Sequence, residues 1–199
     1  MRLKLALITA PTTEPIVLAT AKAHLRVTAT DDDTLITGHI KAVRGAVEDY
    51  LGRRLITQTW DYFIDEWPAS DYIDIPYPPL VSITNIKYTD SSGTETTWAA
   101  TNYIVDIKGE PGRVYLEYLK SWPTATLRPV NGIVVRCVAG YGDDSSSNPE
   151  PYDVPEQIIA GMKLMLGDLY ENREATGEKA IEVNPTVKAL LQPYRIFTW

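Results

Sequence analysis

The sequence predicts an α+β fold: a helical hairpin and a C-terminal helix forming a helical bundle, with an inserted antiparallel β domain. Three observations carry this. Apolar residues recur at helical spacing between Leu18 and Leu51, the period changes to two from Leu55, and helical spacing returns after Pro155. Helices, then a run of strands, then helices is the order of an α+β chain rather than of alternating βαβ units. The corresponding parts are residues 1–54 (N-terminal helical part), 55–142 (inserted β domain), 143–183 (a loop and the third helix) and 184–199 (a C-terminal arm).

The first helix follows Pro15, with Leu18, Ala21 and Leu25 at i, i+3 and i+7 and alanines at 19, 21 and 23 adding propensity. A second begins after Asp31-Asp32-Asp33-Thr34, where short acidic side chains can cap free amides and oppose the positive end of the helix dipole. Its stripe is Leu35, Ile36, Ile40, Val43, Val47, Tyr50 and Leu51. Gly52 supplies a left-handed stop, and Arg53 and Arg54 suit the negative end of the helix.

From Leu55 the alternation is that of a strand, with Trp60, Tyr62 and Ile64 on one face and Thr57, Thr59, Asp61, Phe63 and Asp65 on the other. Pro76, Pro78 and Pro79 exclude a central strand there. Further strands are expected from Val81 to Tyr88, Thr96 to Trp98, Tyr103 to Ile107, Arg113 to Tyr118 and Ile133 to Ala139. Asp90-Ser91-Ser92-Gly93 marks a turn and Lys108-Gly109-Glu110-Pro111-Gly112 a tight loop between antiparallel neighbours. The stretch Asp143 to Pro149 is a solvated loop leaving the β region. A third helix starts near Pro155 with a wide stripe of Ile158, Ile159, Met162, Met165, Leu166, Leu169 and Tyr170. Glu171 to Glu182 is a polar link, and a short helix from Pro185 to Leu191 ends at Pro193.

Composition narrows the function. The 199 residues, 44% hydrophobic, suffice for a core without staples. One cysteine allows no intrachain disulfide, and with two histidines it cannot supply a structural zinc site. No apolar run approaches the roughly 20 residues of a membrane span, and the apolar stretch after Met1 is short for a signal peptide, so synthesis in the cytoplasm is expected. A net charge of −7 opposes adhesion to nucleic acid but is compatible with DNA passing an acidic wall.

Chemistry-bearing motifs are scarce. Neither GxGxxG, GxxxxGK[ST] nor GxSxG occurs, and Cys137 lies in an apolar strand where an inert thiol is expected. His24 and His39, on successive helices, are the pair that could move a proton or bind a metal if they met, but no carboxylate accompanies both at ligand spacing. Asp31 to Asp33 lacks the spacing and glycine of a calcium loop, and Asp143-Asp144 is expected to be solvated. No catalytic residue, metal ligand or cofactor is therefore expected. Five Trp and twelve Tyr against two Phe suit wet interfaces, and Trp67, Tyr72, Tyr77, Trp98 and Trp122 fall in the β region. Their alternatives are core and rim packing or recognition of a glycan or receptor. The end of the chain, with Tyr194, Ile196, Phe197 and Trp199, needs a surface to cover it, on its own subunit or on a neighbouring protein.

Several phrases are distinctive as a set: Glu14-Pro15-Ile16-Val17-Leu18 on to His24-Leu25-Arg26-Val27, Asp32-Asp33-Thr34-Leu35-Ile36, and Tyr50-Leu51-Gly52-Arg53-Arg54 on to Trp60. Tyr77-Pro78-Pro79-Leu80, Glu110-Pro111-Gly112-Arg113, Ala139-Gly140-Tyr141-Gly142, Val154-Pro155, Tyr170-Glu171-Asn172-Arg173-Glu174 and Leu190-Leu191-Gln192-Pro193-Tyr194-Arg195 extend the set in order along nearly the whole chain. Together they resemble the head-tail connector, or adaptor, proteins of long-tailed bacteriophages and of phage-derived gene transfer agents. The resemblance implies a non-enzymatic virion subunit at the particle neck, assembled in the bacterial cytoplasm. It implies a ring of identical subunits, usually twelvefold, between the portal protein and a tail-side stopper or tail terminator, with DNA as a passing occupant and no membrane partner. Pro193, Tyr194, Arg195, Ile196, Phe197 and Trp199 would then bind the portal. His24, Arg26, His39, Arg53, Arg54, Tyr170 and Arg173 are candidates for the ring interface. The sequence does not separate phage from gene transfer agent.

Overall fold

The structure, a computed structural model, describes residues 4–142, 154–172 and 184–196. The expected loop 143–149, most of the link 171–182, and Arg173, Phe197 and Trp199 lie outside the described residues. The fold is α+β, with four α-helices and two antiparallel sheets among the described residues. It divides into two compact units, Lys4 to Pro11 with Thr57–Tyr141, and Thr12–Ile56 with the described residues from Gly142 onward.

The helical unit contains α1 (Leu18–Leu25), α2 (Asp33–Leu51), α3 (Glu156–Glu171) and α4 (Pro185–Leu191). The apolar stripes set their packing: Ala21 of α1, Ile36, Ile40, Val43, Val47 and Leu51 of α2, Ile158, Met162 and Leu166 of α3, and Val187 and Leu191 of α4 are buried. Leu35 and Leu169, at the margins of their stripes, are more than a third exposed. Gly161 lets α4 approach α3, since a Cβ there would lie 3.1 Å from Leu191. Asn184 caps α4 by accepting from the Thr186 N–H at 3.0 Å, with Pro185 in the first turn.

The start of α2 departs from expectation. Asp32 occupies the cap position but makes no side-chain cap bond. Its carboxylate instead accepts from the Tyr170 hydroxyl at 2.7 Å, and Asp33 pairs with Lys22. The acidic run is drawn into contacts with α3 and α1, because a charge-assisted tertiary bond outcompetes an exposed backbone donor for a short carboxylate.

The β unit holds β1 (Lys4–Thr9), β2 (Gln58–Ile64), β3 (Tyr72–Asp74), β4 (Leu80–Thr89), β5 (Glu95–Trp98), β6 (Tyr103–Asp106), β7 (Arg113–Leu116) and β8 (Ile133–Ala139). One sheet runs β1-β2-β8-β4-β5 and the other β3-β7-β6. Two strands extend the sequence reading. β3 is three residues long, and β1 draws the N-terminal residues out of the helical part and into the β unit, pairing Lys4 with Phe63 and Leu7 with Trp60. Lys4 adds an ion pair to Asp65 at 2.7 Å, and this bond, with the Asn131 N–H, holds the Asp65 carboxyl below its ordinary pKa.

β8 alternates cleanly: Ile133, Val135, Cys137 and Ala139 are buried. With Ile86 and Trp98, Ile133, Val135 and Cys137 meet Ile73 and Val114 of the second sheet in one core. On the opposite face of β8, Arg136 binds Asp61 of β2 through two bonds of 2.7 and 2.8 Å at directly paired positions. Gly112 is required by close approach, since a Cβ there would stand 2.5 Å from the Leu80 side chain.

Glycine tests this packing in both directions. Gly112→Ala should lower stability by about 1–3 kcal/mol through overpacking against Leu80. Gly38→Ala, on an exposed stretch of α2 with nothing within 4 Å of an added Cβ, should raise it by about 0.5–1 kcal/mol through helix propensity. Denaturant unfolding of both variants checks the opposite signs.

Candidate functional site

α2 ends at a buried polar network. Glu48, 4% exposed, accepts from the Leu55 N–H at 2.9 Å and from Arg44 Nη1 at 3.2 Å. Arg44 also donates from Nε to Glu14 at 2.7 Å, and Arg54 Nη1 stands 3.8 Å from Glu48 Oε2. A carboxylate this far from water is tolerated because cations and a backbone donor surround it. The network fixes the segment before α1, the end of α2 and the chain through Leu55. Gly52 turns out of the helix at φ +68°.

Against that turn lies the end of the described chain, where Gln192–Tyr194 form a short 3-10 turn. The Ile196 N–H donates to the Leu51 carbonyl at 2.8 Å, occupying an acceptor that the end of a helix leaves unmatched. Arg53, 5% exposed, donates from Nε to the Tyr194 carbonyl. The Tyr194 hydroxyl donates to Gln157 of α3 at 2.8 Å, and the Arg195 guanidinium stands 5.0 Å over the Tyr50 ring. Residues 194–196 are thus docked on their own subunit, one of the two surfaces the sequence left open. Pro193 and Arg195 are exposed, while Tyr194 and Ile196 are half-buried.

The remaining interface candidates are scattered. Arg26 is the exposed, left-handed cap of α1 at φ +57°. Arg54 is buried beside Glu48, with Nη1 donating to the Arg53 carbonyl at 3.1 Å. Tyr170 bonds Asp32. His24 is exposed and lies near Gly167 of α3. His39 is half-buried, and its Nε2 has no hydrogen-bond partner. The two imidazoles are therefore not joined in a proton-transfer pair. Among the described residues no group of three His, Cys, Asp or Glu is placed to hold a metal ion, and no helix is long and apolar enough to cross a membrane. A groove of about 380 Å³ along α2 is lined by Asp33, Thr34, Thr37, Gly38 and Lys41.

In the β unit, Trp67 stacks on Trp122 at 5.1 Å, and Trp98 packs against both at 5.5 and 5.2 Å. Trp122 donates from its indole to the Ser70 carbonyl. These rings pack on the core and on one another, the core-and-rim arrangement, and do not form an open row for a sugar. Cys137 is 1% exposed, and burial pushes its thiol up to about 12.

The sequence reading missed Leu51, Gln157 and the Glu48 network. Leu51 acts through its backbone carbonyl, which leaves no trace in residue type. The network had one signal, the i, i+4 spacing of Arg44 and Glu48 beside the apolar stripe.

The geometry thus defines an α+β protein with a four-helix unit, a two-sheet β unit and a C-terminal segment held at the end of α2. Residues 15–97 match the family described as phage gp6-like head-tail connector protein, which bears out the resemblance read from the sequence. Solved structures match over nearly the whole chain. A chain from the neck of an empty GTA particle, computed with C6 symmetry, has a TM-score of 0.79 at 19% identity, covering 98% of this chain and 97% of that one. A chain from the virion of a native gene transfer agent (GTA) particle has a TM-score of 0.74 at 22% identity, covering 98% and 96%. A chain from the neck of a native GTA particle, computed with C12 symmetry, has a TM-score of 0.72 at 22% identity, covering 100% and 97%. These likenesses establish a shared fold. No curated protein matches.

Two substitutions probe the site. Glu48→Ala should cost about 3–5 kcal/mol, because it removes the buried acceptor on which Arg44, Arg54 and the Leu55 N–H converge; thermal unfolding measures it. Cys137 should resist thiol reagents at neutral and mildly alkaline pH, since a thiol pushed up to about 12 holds its proton there. It should react once the chain is unfolded, and reagent uptake with and without denaturant reports both.

Proposed function

We propose that this chain is a structural head-tail connector subunit, with identical copies forming a ring of twelve between the portal and the tail of a phage or phage-like particle. The observation that carries the proposal is the match of residues 15–97 to the head-tail connector family. The full-length likeness to chains of GTA necks, one of them computed with C12 symmetry, supports the ring and its place. Its role is assembly, without catalysis or a cofactor. DNA passes through the ring without being gripped, in keeping with a net charge of −7 on each copy, repeated around the ring.

The portal is the partner proposed for the C-terminal arm, and the tail-side neighbour is a stopper or terminator. Pro193, Tyr194, Arg195, Ile196, Phe197 and Trp199 are the proposed portal contacts; Tyr194 to Ile196 are also held on their own subunit, and Pro193 and Arg195 are exposed. A weak contact repeated around a ring gives avidity without a strong single interface. His24 and Arg26, exposed at the end of α1, are the ring-contact candidates best placed to reach a neighbour, whereas Arg53 and Arg54 are buried within the subunit.

Mixing the full chain with purified portal assemblies should yield co-sedimenting complexes, and removing residues 192–199 should abolish them. Equal binding by both forms would take the arm out of the mechanism.

A further inference from the structure

The arm is held at the end of α2 by residues of α2, its C-terminal turn and α3. Three consecutive residues are fixed by four contacts: Tyr194 through its carbonyl to Arg53 and its hydroxyl to Gln157, Arg195 over Tyr50, and Ile196 through its N–H to Leu51. Two of the four use arm backbone, so they fix the path of the chain and not merely one side chain. Arg53 is the decisive member. It is buried at 5% exposure, and its planar guanidinium donates in a fixed direction that a flexible cation would not impose. Gly52 adopts a φ of +68° that is strained for other residues, and the turn it makes lies against the Ile196 carbonyl.

We infer that Arg53 is a positioning residue for the C-terminal arm: its bond to the Tyr194 carbonyl fixes the path of residues 194–196, so that this segment meets its partner already ordered. The inference rests on the portal-binding reading of the arm. Its physical basis is that a segment ordered before binding loses less freedom on binding than a loose one. Arg53 was expected among the ring contacts; its burial against Tyr194 gives it this different role.

Hydrogen exchange on the full chain tests the clamp. In the wild type the Ile196 amide should be protected. Arg53→Gln should speed its exchange about tenfold while Val43 and Val47 in α2 stay protected, and Arg53→Lys should restore part of the protection. If Arg53→Gln does not fold, Gln157→Ala, at an exposed position on α3, loosens the same segment through Tyr194 and carries the same comparison. An Ile196 amide unprotected in the wild type, or unchanged in every variant that folds, overturns the clamp. Binding to portal assemblies tests its consequence: Arg53→Gln or Gln157→Ala, with Phe197 and Trp199 intact, should bind about tenfold more weakly. Wild-type or tighter binding by a variant whose arm is loosened overturns the positioning role. Deleting residues 197–199 separates this outcome from failure of the portal reading. If that deletion leaves binding unchanged, the arm does not contact the portal, whatever the exchange data show.

Discussion

A carboxylate buried at the end of the longest helix governs the helical unit. Glu48 sits among apolar neighbours that would expel a lone charge, and it is retained because Arg44, Arg54 and the Leu55 N–H converge on it. Each partner ties down a different stretch of chain. Arg44 carries the connection to Glu14 ahead of α1, the Leu55 amide belongs to the segment leaving α2, and the turn between them at Gly52 is thereby set. That turn presents the Leu51 carbonyl and the Arg53 guanidinium to the arm. The docking of Tyr194 to Ile196 is thus a downstream consequence of one buried ion network.

The β unit rests on different physics. Its core is apolar and aromatic, built from the inward residues of β8 and β4 against Ile73 and Val114, with three tryptophans closing one side. Its polar pairs, Arg136 with Asp61 and Lys4 with Asp65, reinforce strand register without forming a reactive centre. The Cys137 thiol is kept protonated by that same core.

Much of this was legible in the sequence, for reasons that differ by element. α2 and α3 carry long apolar stripes, and β8 alternates over seven residues, so periodicity alone locates them. β1 escaped because its partner β2 lies some fifty residues downstream and its own burial fades from half-buried to exposed. β3 escaped because three residues next to a proline cluster show no period. At the α2 start, local capping chemistry predicted one use for Asp32 and tertiary contact supplied another. The need of the aromatic tail for a surface was visible in Tyr194 and Ile196. That the surface includes a helix-end carbonyl and a buried arginine of the same subunit was not, because a main-chain acceptor has no residue signature.

The proposed role of a head-tail connector subunit is one of placement within a larger particle, and the family match of residues 15–97 supports it. The most direct measurement is an image of the assembled particle with this subunit labelled. The account predicts label confined to the neck, in a ring directly beneath the portal. Label at a fibre tip or distributed over the capsid face would contradict it.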